Sequence, residues 1–452
     1  MKKEVKLDEF QKSAVTTPGN ILLIAGAGAG KTFTITQKII YLIENKIYAP
    51  EEILIISFTN KSVADLQKKI NYNCSILTFH KLAIQILRDY NINFNLVNDT
   101  YLEFLTNEFF QSLDDPRLIK EILLYFKEYD YQKFLKTYKY QEFKKLLITI
   151  LKIYKTNGCT KDDFQRIYPK NNFLSKYFYI IKTIYEQELI STHSYDFDDL
   201  IIKATEVLNS FYRYKYIIVD EFQDTSTIRF NLVNKLRIIN NAFLFVVGDD
   251  YQSIYHFSGC NINLFLDFPK LIPNSQVLKL KYTYRNSQEL IDIAAKFVMK
   301  NKKQISKDLI SNKHITNPIE FIYYINPQKS FEKLYKKVQK INPDLLVLGR
   351  NNKDILEFSQ DNSINYLTVH SAKGLEAENV ILINMTDRIY GFPNQIQNNK
   401  LLEELHPSDK EILFAEERRL FYVALTRTKN KIYIMVPLFG KSIFIKELKK
   451  MI

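Results

Sequence analysis

Ala25-Gly26-Ala27-Gly28-Ala29-Gly30-Lys31-Thr32 decides the fold of this chain. The apolar run Ile21-Leu22-Leu23-Ile24 feeds into it, and Ile35, Ile39, Leu42 and Ile43 follow at helical spacing. A buried strand, a glycine-rich turn, Gly-Lys-Thr and a helix are the context of a phosphate-binding loop. Glycines let backbone N–H groups turn inward on phosphate oxygens, and the helix N-terminus adds its positive dipole end. In such a loop Gly26, Gly28 and Gly30 form the cradle, Lys31 reaches the β- and γ-phosphates, and the Thr32 hydroxyl sits on Mg²⁺. The first motif position is Ala25 rather than Gly. Taken alone, the stretch therefore leaves a purely structural turn open.

With 452 residues, 46% of them apolar, the chain has room for about three domains and large cores. No apolar run is long enough to span a bilayer, and Met1-Lys2-Lys3-Glu4-Val5 leads into no signal-like stretch. Cys74, Cys159 and Cys260 lie far apart, a pattern that argues against a disulfide framework or a zinc site and fits a reducing compartment. The net charge of +13 makes nucleic acid a candidate partner, although lysines that merely solvate the surface would give the same balance. Only 12 of the 63 basic residues are arginine. A planar guanidinium fork cannot be replaced by an ammonium at bidentate sites, so the arginines that remain carry information. Five of them (Arg285, Arg350, Arg418, Arg419 and Arg427) fall in short stretches of interest.

Residues 1–85 alternate short apolar strands with helical patterns, the second and third strands being Ile53-Leu54-Ile55-Ile56 and Ser75-Ile76-Leu77-Thr78-Phe79-His80. That is a parallel α/β pattern. From 86 to 194 helical spacing dominates and aromatics are frequent, which predicts a helical insertion. Aromatic stripes at that spacing belong more often to a core than to a ligand platform. The α/β pattern resumes over 195–276 with Tyr216-Ile217-Ile218-Val219 and Phe243-Leu244-Phe245-Val246-Val247, completing the first domain. A second α/β domain is predicted over 277–452, opening on Val277-Leu278-Lys279-Leu280, with 384–412 as an exposed loop.

Asp220-Glu221 follows a buried strand. An ATPase needs two carboxylates there, one for Mg²⁺ and one to orient or deprotonate the attacking water. An acidic pair after a strand is also an ordinary loop start, and the upstream phosphate loop tips the balance toward chemistry. Gln252 follows the next strand, where a neutral amide can sense the γ-phosphate. Arg285 and Arg427 would serve as arginine fingers if the second domain faces the first across a nucleotide; otherwise each fits a surface ion pair.

An ordered set of motifs now makes a resemblance explicit. It comprises Leu7-Asp8-Glu9-Phe10-Gln11, the phosphate loop, Ser57-Phe58-Thr59-Asn60-Lys61, Thr78-Phe79-His80-Lys81-Leu82-Ala83, Asp196-Phe197-Asp198-Asp199-Leu200, and Val219-Asp220-Glu221-Phe222-Gln223-Asp224. It continues with Val247-Gly248-Asp249-Asp250 through Gly259, Thr283-Tyr284-Arg285, Thr368-Val369-His370-Ser371-Ala372-Lys373-Gly374-Leu375-Glu376, and Val423-Ala424-Leu425-Thr426-Arg427. The chain resembles the UvrD/Rep-type superfamily 1 helicases, and within them the helicase IV branch, over residues 7 to about 436.

The resemblance implies an α/β fold of two RecA-like domains, the first with the helical insertion, clasping ATP and Mg²⁺. It implies Gln11 on the adenine edge, Tyr284 stacked on the base, Glu376 near the ribose, and Asp220 with Thr32 on the metal. Glu221, Gln252, Arg285 and Arg427 would carry the chemistry. Phe58, Asn60, His80, Tyr255, Phe257 and His370 would line a single-stranded DNA groove, where aromatic faces stack bases without reading sequence; core packing is the plain alternative for Tyr255 and Phe257. The implied activity is an ATP-dependent helicase moving 3′ to 5′ in repair or replication. A translocase that unwinds little and an ATP-switched partner of a polymerase or repair complex stay open. Implied partners are single-stranded DNA and single–double-strand junctions, with repair or replication proteins, the chain itself being a monomer or weak oligomer. The implied location is cytoplasmic and nucleoid-associated, or host-cytoplasmic for a viral chain.

Departures from the family pattern are expected to matter. Phe257 stands where relatives often carry Trp, and His256 and Ser258 where they often carry Arg. About 17 residues separate Arg350 from Thr368, too few for the accessory domain that larger relatives insert there. A C-terminal nuclease domain and an N-terminal extension are likewise not expected.

Overall fold

The computed structural model describes residues 6–167, 172–395 and 413–452. The first unit carries β1 (Asn20–Ala25), β2 (Ile53–Ile56) and β3 (Ser75–Leu77). Two short strands follow, β4 (Asn95–Leu96) and β5 (Ser194–Tyr195), then β6 (Tyr216–Val219), β7 (Phe243–Gly248) and β8 (Ser275–Leu280). Six of these form one parallel sheet in the order β3-β2-β6-β7-β1-β8. Every residue of β2 and β6 is buried, because helices cover both faces of a parallel sheet and leave no face for water. The loops after β1, β2, β6 and β7 all leave from the same carboxyl edge, which is where open parallel sheets bind ligands.

The predicted boundary at 276/277 is corrected by β8. Val277 to Leu280 pair in parallel register with Leu22 to Ala25, so this strand closes the first sheet instead of opening the second. An isolated apolar run carries no mark of which sheet will take it. The insertion also begins later than residue 86, since helix Phe79–Asp89 places Ile86 and Leu87 in the first unit's core. Its base is the β4–β5 pair, and its helices enclose an aromatic core that includes Phe110, Phe134, Tyr140, Phe143, Phe164 and Tyr177. The aromatic stripes read from the sequence are core here.

The second unit carries β9 (Ile319–Tyr324), β10 (Leu345–Gly349), β11 (Tyr366–Thr368), β12 (Ala377–Leu382) and β13 (Thr428–Pro437). They form a parallel sheet in the order β11-β10-β12-β13-β9. The sequence reading passed over β9, whose aromatic, β-branched run Ile-Glu-Phe-Ile-Tyr-Tyr is a strand signal. In the stretch expected to be an exposed loop, Met385 and Phe392 are buried; residues 396–412 lie outside the described residues. The arginines sort by task. Arg419 Nε donates to the Ser253 carbonyl at 2.6 Å across the two units, while Arg418 grips Glu447 and Arg350 grips Glu417 within the second.

Candidate functional site

A cleft of about 520 Å³ opens at the carboxyl edge of the first sheet, walled by both units. The first unit contributes Gly26, Gly28, Gly30, Lys31, Thr32, Asp220, Glu221 and Gln252. Tyr284, Arg285, Glu376 and Arg427 close it from the other side. The phosphate loop ends on Gly30, whose φ of 79° caps helix Lys31–Glu44 in the left-handed region where glycine has no Cβ to clash. Gly28 also needs its missing side chain, because a Cβ there would come within 2.5 Å of Arg285 Cβ and 2.7 Å of Thr283 Oγ1. The loop is therefore shaped to receive the stretch that carries Tyr284 and Arg285. Thr283 Oγ1 donates to the Ala27 carbonyl at 2.8 Å, and Tyr284 N–H to the Gly28 carbonyl at 2.9 Å.

Lys31 Nζ donates to Glu221 Oε2 at 2.8 Å. Burial works against the lysine's charge, but Glu221, Asp220 and Asp249 outweigh it and raise its pKa. Burial likewise opposes the charge on Glu221, yet Lys31 and Lys373 hold that carboxyl below its ordinary range. Asp220 beside it goes the other way, raised by burial and by the Glu221 charge. Glu221 sits at φ 50°, ψ 40°, a conformation that costs a non-glycine residue on the order of 1–3 kcal/mol and clusters at functional sites. Gln223 holds it there, its Nε2 donating to Glu221 Oε2 at 2.7 Å while its Oε1 accepts the Asp249 N–H at 2.9 Å.

Gln252 Nε2 donates to Asp249 Oδ2 at 2.6 Å, and Gln252 Oε1 accepts from Arg427 NH2 at 3.2 Å. Arg427 is 1% exposed and also donates to the Val423 and Leu375 carbonyls. Burial, then the charge of Arg285, lowers its pKa to about 9, which leaves it protonated at neutral pH. Arg285 Nε donates to Glu376 Oε2 at 2.7 Å, and Lys429 meets the other Glu376 oxygen at 3.2 Å. Tyr284 is 63% exposed, with its hydroxyl donating to Asp8 Oδ2 at 2.6 Å. Gln11 is buried behind Gly30, and its carbonyl oxygen accepts the Asp8 N–H in the capping box that starts helix Glu9–Thr16.

The sequence reading missed several parts of this arrangement. Phe33, Asp65, Lys69 and Lys429 also wall the cleft. Phe33 adds a second aromatic ring to the wall that also holds Tyr284, and its place directly after Lys31-Thr32 was the available signal. The lysine of Ser371-Ala372-Lys373-Gly374 bridges the units, donating to Asp224 and to the Gln252 carbonyl.

The residues expected on DNA stand apart from the cleft wall. Tyr255 and His370 meet across the units, the tyrosine hydroxyl donating to the His370 carbonyl at 3.2 Å with Lys373 over the ring. Phe58 packs edge-on against Phe79 with Arg229 over its face. His80 packs edge-on against Phe197, and Asn60 is exposed at the start of helix Asn60–Lys69. The side chain of Phe257 lies outside the described residues.

A phosphate loop after β1, a carboxylate pair after β6, Arg285 in the stretch that follows β8, and Arg427 just ahead of β13 in the second sheet define a two-domain P-loop nucleotide site of the RecA-like class. Residues 7–273 match the UvrD/REP helicase N-terminal domain and residues 351–437 the UvrD-like helicase C-terminal domain. The chain belongs to the UvrD/Rep helicase family. It is 33% identical over 313 residues to a probable DNA helicase II homologue of Mycoplasma capricolum, covering 65% of this chain and 40% of that protein. It is 26% identical over 477 residues to DNA helicase IV of Escherichia coli, covering 97% of this chain and 69% of that protein. A probable DNA helicase of Mycoplasma pneumoniae is 28% identical over 477 residues, 95% of this chain and 83% of the relative. Against the helicase II-type relatives the chain spans about half of their length. Among the described residues no helix is long and apolar enough to cross a membrane.

Proposed function

We propose that this chain is an ATP-dependent DNA helicase that steps along single-stranded DNA 3′ to 5′ in repair or replication. The observation that carries the reading is the composite cleft, in which Lys31 and Glu221 of the first unit share one wall with Arg285, in the stretch after β8, and Arg427 of the second unit. Tyr284 and Phe33 hold the base, with Gln11 behind. Lys31 leaves Glu221 for the β- and γ-phosphates. Glu221 then takes the proton from the attacking water, and Arg285 and Arg427 offset charge on the transferring phosphoryl group. Thr32 and Asp220 would supply the oxygen donors a magnesium ion takes. That ion would neutralise charge on the β- and γ-oxygens.

Closing the cleft on ATP draws the two units together, and reopening after hydrolysis lets them part. Tyr255 and His370 lie on that seam, so a base stacked beside them moves with it. Phe58, Asn60, His80 and Phe257 extend the groove. Between β10 and β11 stands one four-residue helix, Ile355–Phe358, and no further domain to grip a duplex. This favours a second reading, a translocase with little unwinding.

Steady-state ATPase with and without single-stranded DNA tests the main reading, and indifference to DNA would instead support an ATP-switched regulatory partner. A forked-duplex assay run beside a translocation assay separates the two motor readings, because translocation without strand separation rules out the helicase.

A further inference from the structure

Residues 305–311, between helix Gln288–Val298 and β9, run back across the first unit before the second sheet begins. Ile305 N–H donates to Asp250 Oδ2 at 2.8 Å. Lys307 Nζ meets Asp249 Oδ1 at 2.8 Å and also pairs with Asp250 Oδ1. Leu309 fills the space over Gly26, where a Cβ on that glycine would lie 2.6 Å from Leu309 Cδ1. Ile310 then exchanges backbone hydrogen bonds with Lys281 and Thr283, just ahead of Tyr284 and Arg285. One strap thus touches the phosphate loop, the loop after β7 and the stretch that carries the first arginine.

Lys307 is the buried charge of this strap, while Asp308 beside it is exposed. Its side chain is 3% exposed, and those of Asp249 and Asp250 are 0% exposed. Its ammonium lies 3.1 Å from the centroid of the Tyr251 ring. The lysine is absent from the cleft wall, so it does not touch the nucleotide site directly. What it touches does. Asp249 Oδ1, which accepts from Lys307, also accepts the Tyr251 N–H at 3.1 Å, and Asp249 Oδ2 accepts Gln252 Nε2 at 2.6 Å. With its nitrogen held there, Gln252 must turn its oxygen outward, where Arg427 donates to it at 3.2 Å. A free glutamine amide could present either end, and a carboxylate acceptor on one side removes that choice. The carboxylate keeps its place because the lysine supplies the opposite charge in a buried site.

We propose that Lys307 is a positioning residue for hydrolysis: from outside the cleft it fixes the Asp249 carboxylate, and through it the end of the Gln252 amide that faces Arg427 and the γ-phosphate. This rests on the assignment of Gln252 and Arg427 to the hydrolytic step. A lysine that only neutralised two buried acids would affect stability and leave turnover per folded molecule unchanged.

Lys307→Met separates these roles. In DNA-stimulated ATPase assays on the folded chain, kcat falls about 10- to 100-fold, the cost of a roughly 1 Å misplacement, while KM for ATP stays within about threefold. In a Gln252→Ala background the same substitution lowers kcat by less than about threefold further, because residues acting as one unit are not additive. Lys307→Met/Asp250→Asn is measured in parallel. It lightens the uncompensated charge by neutralising the carboxylate that does not hold Gln252, so a folded variant is in hand if the single one melts early. An unchanged kcat in a folded variant, or a full second loss in the Gln252→Ala background, overturns the proposal. Wild-type protein lacking DNA-stimulated ATPase would overturn the functional reading itself, whereas active wild type with an unaffected Lys307→Met overturns only this inference.

Discussion

Glu221→Gln removes one negative charge from the cleft and keeps the side chain's shape. The carboxylate accepts from Lys31 at 2.8 Å and from Gln223 at 2.7 Å, and an amide oxygen can still accept from one of them. What the variant loses is a site for the proton of the attacking water. General-base catalysis contributes about 10²- to 10⁴-fold, or about 2.7 to 5.4 kcal/mol in the barrier, and kcat should fall by that amount. Nucleotide affinity should move the opposite way. In this structure Lys31 is tied to Glu221, and a charge-assisted hydrogen bond of about 1.5–3 kcal/mol is given up when the lysine turns to phosphate. Weakening that tie leaves ATP affinity unchanged or severalfold tighter. Single-turnover hydrolysis with saturating single-stranded DNA reads the chemical step, and a fluorescent nucleotide analogue reads binding. Turnover within about fivefold of wild type, less than about 1 kcal/mol of barrier, would refute Glu221 as the base.

Other outcomes are as definite. Arg427→Lys should cut kcat by about 10²-fold or more with little change in ATP affinity, because an ammonium cannot span the Gln252, Val423 and Leu375 oxygens together; steady-state kinetics showing near-normal turnover would sink its role. Tyr284→Ala should weaken ATP binding by about tenfold at nearly constant kcat, about 1.4 kcal/mol of stacking, and equilibrium titration would show it. Affinity for single-stranded DNA should fall linearly in log–log with salt, at about −0.7 per phosphate contact; a flat plot would remove the phosphate-contacting groove. Burial, then the charge of Arg229, lowers His80 to about 4, and burial, then Arg350, does the same for His370. Unfolded histidines take up protons near 6.5, so between pH 6.5 and about 4 the unfolded state binds more protons and stability falls as pH falls, by about 1.4 kcal/mol per unit for each histidine. Melting curves of the His80→Gln/His370→Gln variant should lose that part of the slope, and curves parallel to wild type would contradict the burial.

The nucleotide half of the site was legible because its signals are local. Glycine spacing, Gly-Lys-Thr and an acidic pair after a buried strand each sit within a few residues, where periodicity and backbone sterics dictate conformation. The DNA face was less so. Tyr255 and Phe257 left core packing open beside the groove, and the structure sets the Tyr255 hydroxyl on the His370 carbonyl across the two units while Phe58 packs on Phe79. Lys307 carried no signal at all, being one lysine among many in a basic chain.

The sequence by itself determined that two parallel α/β units would form, that one would hold a triphosphate, and that an aromatic helical insertion would interrupt the first. These follow from hydrophobic period and turn chemistry, which a short segment expresses wherever it lies. Only the tertiary structure decided that Ser275–Leu280 would close the first sheet beside β1, that Arg427 would face Gln252, and that Lys307 would stand against Asp249. Strand pairing and the burial of charge depend on which surfaces meet after the chain has collapsed. A lysine stays solvated until folding buries two carboxylates against it, and nothing in its own neighbourhood of sequence records that they will be.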